Sequence, residues 1–189
     1  MRDLRCIFAV VILVISASAY GGVTIHYEGR APDPAAVEQV LAAASEEAKR
    51  NGWQIRDDSS SDISLKRVVD EKDVPYRGSV RGIVLQPRRE CEPIHLQFDS
   101  NMFMQDFVKT QFAGPEIHMQ VARLLQVIQP LLRSLKVEDE GQYWETGSKS
   151  TLEGHMAKVN TLMVEMKRSK PGLRGPVTLP SGRIVDLMR

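Results

Sequence analysis

Apolar residues at helical spacing predict three helices in this chain. The first follows Asp33 as N-cap and Pro34 at the first helical position. The second and longest starts at Pro115, and Pro130 inside its apolar stripe should kink or break it. The third starts at Ser150, which forms a capping box with a glutamate three residues later.

Alternating apolar and polar residues predict strands between these helices. Of the remaining segments, 70–78 is predicted to be a surface loop, 141–147 a loop, and 99–113 either a short helix or a packed loop. The predicted strands are 23–27, 53–57, 62–69, 80–85, 94–98 and 136–140, and a terminal hairpin joins 177–179 to 183–187.

This order of elements predicts an α+β fold. Several strands follow one another directly, which favours antiparallel neighbours over the regular strand–helix alternation of a parallel sheet. We therefore expect a single mixed, mainly antiparallel sheet packed against about three helices, with a C-terminal β-hairpin.

The N-terminal segment has the order of a secretory signal peptide. Arg2 and Arg5 precede an apolar run over 6–15, and Ala17-Ser18-Ala19 has the small-residue form that a signal peptidase cleaves. The run is shorter than the ~20 apolar residues that a membrane-spanning helix needs. A cleaved leader is therefore favoured over a membrane anchor.

Residues 1–19 are accordingly predicted to be a signal peptide, and residues 20–189 a single domain located in the periplasm or secreted. We expect no stable membrane span after the leader is cleaved. Two alternatives stay open: the leader remains as an uncleaved anchor, or translation starts near Val23 and the preceding residues are not made.

The charge balance indicates no polyanionic partner. The chain has 25 basic and 24 acidic residues, and removal of the leader leaves 23 of each. A neutral chain lacks the long-range attraction that draws basic proteins to nucleic acid or to anionic lipid. We expect no nucleic-acid partner.

The predicted mature chain keeps one cysteine, Cys91, so it has no internal disulfide and depends on packing for stability. Two roles are open for this thiol. A buried, inert side chain is the more common role of a structural cysteine, and a reactive or intermolecular thiol is the alternative.

The familiar catalytic motifs are absent from the sequence, and its four histidines lie on different predicted elements. His95 and Asp99 share the face of one strand but stand ~13 Å apart along it, too far to hold one ion. We expect no metal and no cofactor.

Segment 137–147 combines four carboxylates with two adjacent aromatic residues. Glu138 and Glu140 would share one face of an extended chain, where mutual repulsion would raise a carboxyl pKa and support acid–base chemistry or cation capture. The alternative is a solvated acidic loop held against the core by Tyr143 and Trp144.

Segment 102–112 is rich in phenylalanine and methionine. Its side chains either pack in the core or form an exposed recognition patch, since Met and Phe are favoured at adaptable binding surfaces. In the second case Phe103, Phe107 and Phe112 would supply apolar contacts, and Lys109 and Gln111 would supply polar ones.

These features predict a small exported binding or interaction protein that is not catalytic and recognises a protein or small molecule through segments 102–112 and 138–147. The alternative is a hydrolase-like enzyme that uses Glu138 or Glu140 with His95 or His155, and a third possibility is a purely structural envelope protein. A carboxylate and a histidine at the floor of one pocket would favour the enzyme.

Overall fold

The structure is a computed structural model that describes residues 22–69 and 72–189. The predicted signal peptide lies outside the described residues. In chain order the elements are β1 (Thr24–Arg30), α1 (Pro34–Arg50), β2 (Gln54–Asp57), β3 (Ser60–Val69), β4 (Lys72–Gln86), β5 (Ile94–Asp99), β6 (Phe103–Lys109), α2 (Pro115–Ile128), a short 3-10 helix (Gln129–Leu131), β7 (Ser134–Asp139), α3 (Tyr143–Thr146), α4 (Lys149–Ser169), β8 (Val177–Thr178) and β9 (Ile184–Val185).

The described strands form three antiparallel sheets. One has the order β6-β1-β7, with β1 in the centre. In the second, the long strand β4 pairs with β2, β3 and β5. The third is the β8–β9 hairpin. The hairpin made by β3 and residues 72–80 of β4 is called the arm below.

The core lies between the helices α1 and α2 and one face of the strands. Full burial of each large aliphatic side chain contributes ~1.5–3 kcal/mol, so this layer is the main source of stability. Its largest fully buried side chains are Ile25, Tyr27, Leu85, Ile94, Leu96, Phe98, Met104, Leu124, Leu125 and Ile128.

A smaller cluster joins α4 to the start of β1. It contains Val23, Leu152 and Met156, and Tyr143 packs against it. The terminal hairpin is attached nearby, because the Gly22 amide donates to the Asp186 carboxylate at 2.8 Å. No helix of the two described ranges is long and apolar enough to cross a membrane.

The predicted α+β class and the terminal hairpin are confirmed. Helices begin at Pro34 and Pro115 as expected, and α2 gives way to the 3-10 helix that contains Pro130. The strands are divided among three sheets instead of one, and every described pairing is antiparallel. A fourth, one-turn helix occupies part of the predicted loop 141–147, and the cap of α4 is Ser148 instead of Ser150.

Two predicted irregular segments are strands. Residues 72–78 belong to β4, where Pro75 is tolerated because this half of the strand pairs only with β3 among the described residues. Segment 99–113 contains β6, whose alternation is hidden in the sequence because both of its faces carry apolar residues. Met104 and Val108 are buried in the core, whereas Phe103 and Phe107 are on the opposite face.

Candidate functional site

A groove of 1180 Å³ lies between the arm and the face of the β6-β1-β7 sheet that points away from the core. Its floor consists of alternate residues of three strands, because successive side chains of a strand point to opposite faces. The floor residues are His26, Glu28 and Arg30 of β1, Phe103, Gln105 and Phe107 of β6, and Lys136 and Glu138 of β7.

The arm forms the opposite wall of the groove. Arg67 pairs with Val74 and Val69 pairs with Lys72 across its two strands. Cross-strand partners share a face, and Arg67 is buried, so this face of the arm points toward the sheet. Val69 and Val74 therefore overhang the floor beyond the buried arginine.

Arg67 fastens the arm to β6. Its guanidinium donates to the carbonyls of Gln105 at 2.8 Å, Gln97 at 3.3 Å and Phe103 at 3.4 Å, and lies 3.9 Å from the Asp99 carboxylate. Burial lowers the pKa of Arg67, and the negative charge of Asp99 opposes this shift. The side chain is a buried cation held by carbonyl dipoles and one carboxylate.

The Gln105 side chain makes a second bridge to the arm. Its carbonyl oxygen accepts from the Val68 amide at 2.7 Å, and its NH₂ group donates to the Val68 carbonyl at 2.8 Å. The same NH₂ group donates to Glu28 at 2.8 Å. This amide satisfies both backbone groups of one arm residue, as a neighbouring strand would.

Most of the charged side chains that line the groove form ion pairs within the protein. Arg30 and Glu28 have uncharged partners: Arg30 donates to the Asn101 carbonyl at 2.6 Å and lies over the Phe103 ring, and Glu28 accepts from the Gln105 amide at 2.8 Å. The groove therefore has no strong preference for a charged ligand. The ion pairs are Lys66–Asp73, Arg67–Asp99, Lys136–Glu138 and Arg183–Asp106.

The unsatisfied surface of the groove is apolar. The described residues include seven large hydrophobic side chains that are exposed, and four of them line this groove. Such a concentration is typical of a binding surface, whereas scattered single apolar residues are not. The four are Val68, Val69, Val74 and Phe107.

Arg183 of the terminal hairpin supports one end of the floor. Its guanidinium lies 4.0 Å from the centre of the Phe107 ring, donates to the Phe107 carbonyl at 2.7 Å and pairs with Glu92 and Asp106. Burial acts to lower the pKa of Arg183, but the two carboxylates outweigh it and raise the pKa. The arrangement fixes the ring that the groove exposes.

A second polar network lies in the interior. Thr110 Oγ1 is 2.7 Å from His118 Nδ1, and His118 Nε2 is 2.9 Å from an Asp139 carboxylate oxygen. A hydroxyl, an imidazole and a carboxylate in this order resemble a hydrolase triad. Thr110 and His118 are both completely buried, however, so a substrate has no access to the hydroxyl.

Asp139 also organises the start of α3. Its carboxylate accepts from the backbone amides of Gly141, Tyr143 and Trp144 at 2.7–2.9 Å. Burial acts to raise the pKa of Asp139, but the hydrogen bonds from His118 and the amides prevail and lower it. The network joins the ends of β6 and β7 to α2 and is a structural cross-link.

Three of the residues predicted to form a binding site meet in the groove: Phe103, Phe107 and Glu138. The first two come from segment 102–112 and the third from segment 138–147, so the two predicted segments do contribute to one surface. That surface also includes β1 and the arm, which the sequence interpretation left out.

Lys109 and Gln111 have internal partners instead. Lys109 Nζ contacts Asp186 at 2.9 Å and the Ile184 carbonyl at 3.0 Å, which ties β6 to the terminal hairpin. The buried Gln111 amide donates to α4 and accepts from the Val23 amide at 3.2 Å. Phe112 is half-buried in the turn before α2.

The aromatic residues of the acidic segment pack inward. Tyr143 contacts the small cluster of α4, and Trp144 packs against the main core. Glu140 lies in a hollow beside the groove and accepts from the Thr24 amide at 2.9 Å. The aromatics therefore hold this segment in place, as the second sequence interpretation proposed.

The pairs expected for a hydrolase, Glu138 or Glu140 with His95 or His155, do not form; the histidine that lies opposite Glu138 on the groove floor is His26. Asp58 is 2.7 Å from His95, and His155 lies on α4; neither histidine lines the hollow that contains Glu138 and Glu140. The expected rise in carboxyl pKa is also wrong for Glu138, because a hydrogen bond from Lys136 lowers its pKa.

Cys91 is buried, and its thiol is 3.7 Å from the Lys109 carbonyl. Burial, together with the charge of Glu92, raises the pKa of Cys91 to about 12. The thiolate is the reactive form of cysteine, so these surroundings favour the inert role.

The residues missed by sequence reasoning include Arg67 and Arg183, which hold the arm and the terminal hairpin against β6. One signal was present for Arg67, since it has the same parity as Ile63 and Leu65 in a predicted strand and therefore falls on the inward face. Within 22–69 and 72–189, no three side chains of His, Cys, Asp and Glu converge as metal ligands would.

The chain has no match among protein-family models, curated proteins or solved structures.

Proposed function

We propose that this chain is an exported binding protein whose groove holds an extended segment of a partner polypeptide. The observation that carries the proposal is the groove between the arm and the sheet, with its internally paired charges and its exposed apolar side chains. Export rests on the order of charge, apolar run and small residues in segment 1–19.

The dimensions of the groove favour a polypeptide over a small molecule. Small-molecule sites are enclosed clefts of ~300–1000 Å³, whereas this groove is slightly larger than that range and only partly enclosed. An extended segment places alternate side chains on opposite sides, so some would contact the Phe107 floor and others Val69 and Val74.

The charge pattern indicates the chemistry of the segment. Because most of the lining charges are already paired, a strongly acidic or basic segment would have to displace internal ion pairs such as Lys66–Asp73 or Lys136–Glu138. An uncharged segment with aliphatic or aromatic side chains covers the exposed valines at no such cost.

The partner can be identified by cross-linking in the producing cells. A photoreactive amino acid in place of Val69 should trap the partner, and mass spectrometry of the product locates the bound segment. The segment is then synthesised and its affinity for the purified protein is measured by titration.

The decisive comparison uses three valines of similar exposure. Val69→Asp combined with Val74→Asp should weaken binding at least about tenfold, because each change puts a carboxylate against an apolar ligand. Val164→Asp on α4 is the matched control, since Val164 is 49% exposed and Val69 is 48% exposed. Equal binding by both variants contradicts the proposal.

Export is tested separately. N-terminal sequencing of the protein purified from the periplasm or the medium should begin at Tyr20. Recovery of the uncleaved chain in the cytoplasm alone would remove export from the proposal while leaving the binding groove in place.

A further inference from the structure

The strand β7 is an open edge of the groove floor. It pairs with β1 on one side, and no hydrogen bond from the described residues reaches the backbone of 135–138 on the other side. Open edges are sites of pairing with another chain unless they are protected. β7 contains no proline, no glycine and no bulge.

The opposite edge of the same sheet is closed. The carbonyls of Phe103 and Gln105 accept from Arg67, the Phe107 carbonyl accepts from Arg183, and the Lys109 carbonyl accepts from the Glu92 amide. Two arginines and one amide thus occupy every second carbonyl of β6, and β7 has no comparable cover among the described residues.

These contacts also fix which groups β7 presents. Backbone groups of successive residues in a strand point to opposite sides, and the carbonyls of the odd-numbered residues of β6 point away from β1. The backbone groups of its even-numbered residues therefore form the hydrogen bonds to Ile25, Tyr27 and Gly29 of β1. The remaining residues of β1 then bond to Ser134, Lys136 and Glu138 of β7. Leu135 and Val137 consequently direct their amide and carbonyl groups outward.

We propose that β7 pairs antiparallel with β7 of a second copy of this chain, with the two-fold axis at Val137. The two Val137 residues then exchange a pair of backbone hydrogen bonds. Lys136 lies directly opposite Glu138 of the second copy, and Glu138 lies opposite its Lys136. The pairing joins two three-stranded sheets into one of six strands.

Charge complementarity selects this register. Lys136 and Glu138 point to the groove side of the sheet and are both 65% exposed. A register centred on residue 137 places opposite charges in contact twice, once on each side of the axis. A register centred on Lys136 or on Glu138 would place two like charges face to face, which is destabilising.

This self-pairing uses the backbone edge of β7 and the floor residues Lys136 and Glu138, whereas the ligand proposal depends on Val69, Val74 and Phe107. Substitutions at the two sets of residues therefore test the two proposals separately. A six-residue edge buries little surface, so we expect micromolar rather than nanomolar association.

Charge reversal tests the register in solution. The wild-type chain should sediment as a concentration-dependent dimer at up to the order of 100 µM. Glu138→Lys should weaken dimerisation about tenfold or more, because the like-charge contact occurs on both sides of the axis. The double variant Lys136→Glu with Glu138→Lys should restore it. A monomer at all concentrations, or no loss with Glu138→Lys, overturns the proposal.

Disulfide trapping tests the geometry independently. Lys136→Cys and Glu138→Cys chains, mixed and oxidised, should cross-link to each other. Position 136 of one copy lies opposite position 138 of the other without a backbone hydrogen bond between them, and the Cα atoms of such a pair are ~4.5 Å apart. Either variant alone should not cross-link, because two copies of one position are offset by two residues and lie ~8 Å apart. The native Cys91 is buried and does not compete. Equal cross-linking in all three samples, or none in the mixture, overturns the register.

Discussion

Replacement of Arg67 by methionine should release the arm from the sheet. Methionine keeps a long unbranched side chain but removes the guanidinium that donates to the carbonyls of Gln105, Gln97 and Phe103. Lys66→Met is the matched control on the opposite face of the same strand. Its ammonium pairs with Asp73, and both of those side chains are largely exposed.

The structure sets the size of the effect. The 2.8 Å bond to Gln105 is a charge-assisted hydrogen bond worth ~1.5–3 kcal/mol, and the two bonds of 3.3–3.4 Å are weaker. The methionine variant no longer has the cost of burying a cation, and this offsets part of the lost hydrogen-bond energy. Asp99 keeps its hydrogen bonds from the amides of Asn101 and Phe103 but loses its counter-charge, which adds to the cost. We expect arm docking to be weakened by a net ~2–3 kcal/mol. This corresponds to a rise of ~30–150-fold in the population of molecules whose arm is detached from the sheet.

Native-state hydrogen exchange measures this opening. The Val68 amide, which donates to the Gln105 side chain, should exchange faster by that factor in Arg67→Met, and amides of β1 should keep their protection. Lys66→Met should change exchange by no more than about fivefold, because exposed ion pairs contribute ~0–1 kcal/mol. Equal exchange at Val68 in the two variants would refute the assignment of Arg67 as the anchor.

Three further predictions concern the interior. Asp139→Asn should lower the free energy of unfolding by about 2–4 kcal/mol. Because the pKa of Asp139 is lowered in the folded protein, the stability that this carboxylate contributes is complete above its unfolded pKa of ~3.9 and is lost as the pH falls below that value. In urea titrations from pH 6 to pH 2, the free energy of unfolding of the variant should therefore fall less steeply than that of the wild type. Because Cys91 is buried and its pKa is raised, its thiol should react with a thiol reagent only after the protein unfolds. Stopped-flow labelling with and without denaturant measures this reaction rate. Gly82→Ala should destabilise the protein by ~1–3 kcal/mol, because the added Cβ would lie 2.5 Å from the Leu96 carbonyl. Gly154→Ala on α4 places its Cβ in open space and should stabilise the protein by up to ~1 kcal/mol. Thermal unfolding measures both effects.

The helices and the fold class could be predicted because their signals are local. Asp33 caps α1 through a hydrogen bond of 2.8 Å to the Ala36 amide, three residues along the chain. Pro115 and Pro130 act on their own turns in the same way. A helix boundary needs no information from distant residues, so the printed sequence contains most of it.

The groove could not be predicted because its parts meet through distant contacts. Arg67 finds its acceptor 38 residues away at Gln105, and Arg183 finds Phe107 76 residues away. His118 likewise appeared isolated at the start of a helix, whereas its partner Asp139 comes from β7. Spacing along the chain gives no sign of such pairs unless the sheet order is already known.

The site prediction did not separate groove residues from core residues in segment 102–112, because it treated that segment as irregular. In a strand, parity divides the segment into two sets: Phe103 and Phe107 face the groove, and Met104 and Val108 face the core. An irregular segment offers no such division, so all of its apolar residues became candidates together. The alternation was obscured because the groove face of β6 carries apolar side chains, as its core face does, so the usual polar–apolar period of a strand is missing from the sequence.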